Sequence, residues 1–348
     1  MIAGRYRVVR GLGKGAFGEV YEVYDTFEND TVALKLFTAI PPTGAWAEAQ
    51  YLRQLADPHI LPIRNADLAS GVPYLVTEVA VHGSLDKRLA AAGRCSLDVD
   101  DVVRWTRHAC YGVARAHDLR LLHNDIKPEN LFLNGQGEAL VGDFGLAALI
   151  TPPATSVIPP GASPETAAPE VAAGWVTPPP EASFLSDVYS LGATAFYLLA
   201  SRPPHDFTGV ADAAAKMAIV ANQSPPRLRD IAPHVPQPVA RVVEKAIERR
   251  PGDRFPSALE LAAALGTLSK PTRKWQRTDE HSGHIACWRG VAAHGGAYLL
   301  CLEQGARPSK CVITSVQVGS GRRVTRGCRA ALLRTWPRAV RSVMQALG

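Results

Sequence analysis

LHNDIKPENLFL, running from Leu122 to Leu133, is followed thirteen residues after Asn130 by Asp143, Phe144 and Gly145. This stretch decides the fold, because its spacing gathers two acids, an amide and an ammonium that suit phosphoryl transfer. A γ-phosphoryl group needs little covalent help, so a catalyst must position the attacking hydroxyl, hold magnesium and shield developing charge. Asp125 suits the first task as orienter and proton acceptor. Lys127 can neutralise phosphoryl oxygens, while Asn130 and Asp143 offer the hard oxygen ligands that magnesium requires.

Upstream, Tyr6 to Leu36 alternates apolar and polar residues as antiparallel strands do, and its first turn reads Leu12, Gly13, Lys14, Gly15, Ala16, Phe17, Gly18, Glu19, Val20. Glycines there let a backbone approach phosphate, although an ordinary strand turn wants the same residues. Val32, Ala33, Leu34 and Lys35 form the next strand, with Lys35 on the face opposite Leu34 and Leu36.

Together these motifs resemble the eukaryotic-like serine/threonine protein kinases. DIKPEN points to the serine/threonine branch, and the sequence texture is similar to its bacterial members. The resemblance covers residues 1–268 and implies an enzyme that uses ATP and Mg2+, or Mn2+, to phosphorylate a serine or threonine of a protein. It assigns Lys35 to the α- and β-phosphates and Glu48, the only acid between Leu36 and Arg53, as its partner. A solvated helix glutamate is the alternative for Glu48. The resemblance puts Ala33, Thr77 and Phe132 at the adenine pocket and the main chain of Glu78 and Ala80 on the adenine edge, where buried-strand packing explains the same residue types. His123 is implied as a packing residue, Asp187 as the anchor of the catalytic loop, and Glu170 with Arg254 as a buried ion pair. Ser163 falls where a hydroxyl touches the catalytic acid and lysine.

One position departs from the pattern. Asn124 stands where most family members carry arginine, whose fork holds a phosphate on the activation segment. Activity is therefore expected not to depend on phosphorylation of that segment in the usual way. Retention of Lys35, Asp125, Asn130 and Asp143 favours an active enzyme over a nucleotide-binding pseudokinase scaffold.

The expected fold is α+β and two-lobed: a small antiparallel β lobe with one helix (1–80), a larger mainly α lobe (81–268), a polar link (269–280) and a basic α+β module (281–348) of no recognised family. Formal charge divides along the same line. Residues 1–268 carry 24 Lys and Arg against 29 Asp and Glu, whereas 269–348 carry 14 against 3. The arginines from Arg322 to Arg341 can meet nucleic acid, an acidic protein or the acidic kinase lobe, and a merely solvated face has the same composition. His281, His284 and Cys287 have spacing that can begin a zinc site, completed by Cys301, Cys311 or Cys328; strand cysteines are more often small core residues. Six scattered cysteines without a disulfide framework, and no read leader or membrane-spanning run, lead to the expectation of a cytoplasmic protein.

Overall fold

A computed structural model of the chain describes residues 1–15, 18–37, 55–93, 95–269, 271–279, 281, 283–292 and 296–348. Five strands, β1 (Tyr6–Gly15), β2 (Gly18–Asp25), β3 (Asp30–Leu36), β4 (Ile63–Ala69) and β5 (Val72–Glu78), form an antiparallel sheet in the order β1-β2-β3-β5-β4. Period-two alternation sends Val23, Val32, Leu34, Tyr74 and Val76 with Tyr6 into one buried cluster. The opposite face carries Ala33, Lys35 and their neighbours on adjacent strands, since Val20 pairs with Lys35 and Thr77 with Ala33. Gly18 closes the first hairpin where a Cβ would lie 1.8 Å from the Leu36 carbonyl oxygen.

The larger lobe contains α1 (Leu85–Ala92), α2 (Val99–Asp118), α3 (Pro169–Val176), α4 (Phe184–Ala200), α5 (Ala213–Asn222), α6 (Leu228–Ile231), α7 (Gln237–Ala246) and α8 (Ala258–Gly266). Asp98 caps α2 by accepting from the Asp100 N–H at 2.8 Å, and Asp100 and Asp101 in the first turn add negative charge at the positive end of the helix dipole. Ser183 and Ser186 form a reciprocal cap on α4, which is buried along most of its length as the lobe's axis.

Two very short ribbons set the catalytic segments. β6 (Leu121–Leu122) pairs with β9 (Ala148–Leu149), and β7 (Leu131–Leu133) pairs with β8 (Ala139–Val141). Residues 123–130 therefore leave one ribbon and enter the other, while residues 142–147 make the return trip. Asp125 to Asn130 and Asp143 to Gly145 are brought together by this bracketing rather than by any one helix.

The C-terminal module is a meander of β10 (Arg273–Thr278), β11 (Ala286–Ala292), β12 (Ala297–Gln304), β13 (Lys310–Gln317) and β14 (Arg329–Leu332), backed by α9 (Trp336–Leu347). Ala339, Val340, Val343, Met344 and Leu347 of α9 pack on Trp275, Trp288, Leu300, Leu302 and Ile313. The polar stretch read as a link thus supplies the first strand. Only Trp275 of that strand is buried, so its sequence lacks the apolar alternation that marks its neighbours. The indole lies over Gly290, where a Cβ would sit 2.7 Å from the ring.

This sheet docks on the larger lobe. Ser96 donates from its N–H to the Arg277 carbonyl at 3.1 Å, and its hydroxyl accepts from the Arg277 N–H at 3.0 Å. Lys274 pairs with Asp100, and Arg341 with Asp230 at 2.9 Å. Both pairs set a basic residue of this sheet or its helix against an acid of the kinase lobe.

Candidate active site

Asp125 is 7% exposed and sits at the centre of a compact polar cluster. Its carboxylate accepts from the Ser163 hydroxyl at 2.6 Å and from the Asn130 amide at 3.0 Å, and pairs with Lys127 Nζ at 2.8 Å. Lys127 also donates to the Ser163 hydroxyl at 2.8 Å. Burial would lower the Lys127 pKa, but the Asp125 charge and hydrogen bond, helped by Glu129 and Asp143, leave it above the ordinary lysine value. The ammonium therefore stays charged at neutral pH.

A second set of bonds fixes the loop that carries Asp125. Asp187, 1% exposed on α4, accepts from the main-chain N–H groups of His123 at 2.9 Å and Asn124 at 3.0 Å, and its carboxylate meets His117 Nε2 at 2.9 Å. Desolvation pushes its pKa upward, yet the His117 bond and the nearby N–H groups hold it below the usual carboxylate value. His123 is wholly buried, with Nε2 3.1 Å from the Gly142 carbonyl oxygen and its ring 4.6 Å from that of Phe144. Phe144 thereby goes into the core and Asp143 turns the other way, toward Lys35, with which it forms an ion pair. Glu48 lies outside the described residues, as do Ala16 and Phe17.

Asn130 donates its amide hydrogens to the Asp125 main-chain carbonyl and carboxylate, which leaves the amide oxygen for a cation. With the Asp143 carboxylate this is a hard-oxygen donor set of the kind magnesium takes. In the hairpin, Lys14 and Glu19 face each other across β1 and β2 at 3.0 Å, in register with Gly13–Val20 and Gly15–Gly18, and Leu12 lies at the register shift beside them. At the junction of the lobes, the Glu78 N–H goes to the Pro62 carbonyl and the Ala80 carbonyl accepts from Gly83. Phe132, paired with Leu140, lies against Gly142 beneath the cleft.

The activation segment, 145–170, is tied down by main-chain and neutral side-chain bonds along its length and by ion pairs at Glu165 and Glu170. Asn124, in the left-handed region at φ 64°, donates its amide to the Leu146 carbonyl at 2.9 Å. The Ile150 N–H donates to Arg120, Val157 and Ala182 exchange main-chain bonds, and the Ser190 hydroxyl donates to Thr166 at 2.9 Å. Glu170 closes the segment with two parallel 2.7 Å bonds from Arg254, whose side chain is fully buried. Sequence reasoning missed the tether from Asn124 to Leu146 and the partner of Asp187 at His117. Asparagine's tolerance of positive φ is the signal that bore on the first.

A family model described as a protein kinase domain matches residues 6–263. The chain belongs to the protein kinase family. Among its relatives are the probable serine/threonine-protein kinase pknA2 of Bifidobacterium longum, 30% identical over 294 residues that cover 79% of this chain and 37% of that protein, and the serine/threonine-protein kinase PrkC of Bacillus subtilis, 29% identical with coverages of 76% and 41%. The crystal structure of the PknI kinase domain of Mycobacterium tuberculosis is similar at TM-score 0.58 and 26% identity, covering 76% of this chain and 96% of that one. This kinase chain spans less than half the length of those two curated relatives. No helix among the described residues is long and apolar enough to cross a membrane.

Proposed function

We propose that this kinase chain transfers the γ-phosphoryl group of ATP to a serine or threonine hydroxyl of a protein. The observation that carries the reading is the Ser163 hydroxyl held between Asp125 and Lys127, at 2.6 and 2.8 Å. A hydroxyl bonded to both a carboxylate and an ammonium is where an acceptor alcohol needs to be oriented, and Ser163 makes that geometry from the protein's own side. Asp125 accepts the proton of the attacking alcohol, and Lys127 offsets negative charge on the transferred group. Lys35 and the glycine hairpin hold the triphosphate, with Ala33, Thr77, Phe132 and the main chain of Glu78 and Ala80 around the base. Asn130 and Asp143 hold Mg2+, which shields the phosphate charge.

The activation segment is held by Asn124, Arg120, Ser190 and Arg254, and the Asn124 amide, spent on the Leu146 carbonyl, offers no guanidinium fork for a phosphate. That supports activity independent of phosphorylation at Thr151, Thr155 or Ser156. The C-terminal module, bound to the larger lobe through β10 and α9, positions a substrate or restrains that lobe.

Incubation with γ-labelled ATP and Mg2+, alongside Asp143→Asn, tests the reading. Label on serine or threonine with the wild type alone is the expected result. Nucleotide binding without transfer by the wild type would leave a scaffold instead. Prior phosphatase treatment should leave the rate unchanged; a rate restored only after rephosphorylation would overturn the role given to Asn124.

A further inference from the structure

We infer that His281, His284, Cys287 and Cys301 form a four-coordinate zinc site on the outer face of the module's sheet. It lies apart from the catalytic cleft and serves the module rather than the chemistry. The four ligand atoms all fall within 4.8 Å of one another. Cys287 Sγ is 3.4 Å from Cys301 Sγ, 3.7 Å from His281 Nδ1 and 3.5 Å from His284 Nδ1, while His281 Nδ1 is 3.3 Å from Cys301 Sγ. Tetrahedral zinc with Zn–S of about 2.3 Å and Zn–N of about 2.05 Å requires S···S edges of about 3.8 Å and S···N edges of about 3.5 Å. Each observed separation lies within a few tenths of an ångström of that demand.

The fold explains how four residues from two places converge. Cys287 on β11 and Cys301 on β12 are directly opposed cross-strand partners. Both point away from α9, because the alternate residues Trp288, Leu300 and Leu302 take the helix side. His281 and His284 arrive from the connection between β10 and β11, and their rings lie 4.7 Å apart. Cys311 is excluded because it belongs to the helix-side core, and Cys328 because it sits beside Arg323 and Val324.

Two thiolates and two imidazoles make a closed, soft donor set that favours zinc over magnesium or calcium and leaves no open position for catalysis. Binding exchanges one proton from each thiol for the metal, so a dication is neutralised by two thiolates. The thiols are buried at 2% and 4% exposure, whereas His281 is open to solvent, so the metal enters from the histidine side. The site clamps this connection over a sheet face that no described helix covers. A disulfide is the competing chemistry, but its sulfur separation of about 2.05 Å is far from that found here.

Elemental analysis of the full chain, dialysed against chelator and reloaded with zinc alone, tests the assignment. One tightly held zinc per chain is expected in the wild type and in Cys311→Ser, and none in His281→Ala or Cys301→Ser. Because those variants can misfold, Co2+ loading of the wild type gives a second reading: a tetrahedral two-thiolate spectrum, with Cys287 and Cys301 protected from alkylation until chelator is added. Zinc retained by Cys301→Ser, failure of the wild type to take up metal, or a Cys287–Cys301 disulfide in anaerobically purified protein would overturn the site.

Discussion

Replacing Glu170 by alanine removes one side of the ion pair that ends the activation segment. Arg254 would keep bonds to the carbonyl oxygens of Glu248 at 2.7 Å, Leu185 at 2.8 Å and Arg249 at 3.1 Å, but would lose both charge-assisted bonds to carboxylate. Loss of one partner of a buried pair costs about 3–5 kcal/mol. Glu170 is 25% exposed and three carbonyls remain, so the lower end, about 3 kcal/mol, applies here. For a domain of this size that corresponds to a fall in Tm of roughly 6–12 °C. Thermal unfolding followed by calorimetry measures it, and the double variant Glu170→Leu with Arg254→Met separates a lost interaction from a general disturbance. The double variant should be more stable than either single variant, because no charge is left buried alone. Purely additive losses, or a fall in Tm of only a degree or two for Glu170→Ala, would refute the reasoning.

Three further outcomes follow from the same contacts. Ser163→Ala removes a hydroxyl bonded to two charged groups, a loss of about 1.5–3 kcal/mol, and should lower kcat by roughly 10- to 100-fold with little change in KM for ATP; an unchanged kcat would remove Ser163 from the site. His234, whose ring nitrogens have no hydrogen-bond partner among the described residues, is pushed down to about 3 by burial and secondarily by Arg277. The unfolded chain therefore binds a proton near pH 6.5 that the folded chain refuses, so stability should fall by up to about 1.4 kcal/mol per pH unit as pH drops from 6.5 toward 4. His234→Leu should flatten that slope in a urea titration, and an unaltered slope would contradict it. Asp187 acts lower: its depressed pKa contributes stability that is complete above about pH 4 and is lost as pH falls through the folded value, so Asp187→Asn should abolish the acid transition there and also weaken activity by freeing the catalytic loop.

The catalytic loop was legible because Asp125, Lys127 and Asn130 lie within six residues and their geometry is fixed by short ribbons that the flanking apolar residues announce. Helices α2, α7 and α8 carry buried residues at helical spacing, whereas α4 is buried along most of its length and reads as a continuous apolar run. β10 was not legible, because a strand that buries one residue, Trp275, leaves no alternation to read. The ion pair between Lys35 and Asp143 joins residues more than a hundred positions apart, and no local pattern encodes it. Cysteine chemistry shows the same limit. Three cysteines competed to complete the cluster at Cys287, and only the register of β11 against β12 selects Cys301. The charge division between the two parts of the chain was plain in composition, but the docking of Lys274 on Asp100 and Arg341 on Asp230 depends on where the module's sheet is laid.

The most direct measurement is the single-turnover rate of phosphoryl transfer from bound ATP in Asp125→Asn, compared with the wild type at equal nucleotide occupancy. If Asp125 orients the acceptor and takes its proton, the rate falls by about 10²- to 10⁴-fold while ATP affinity is unchanged. Transfer at the wild-type rate by the asparagine variant would contradict the account.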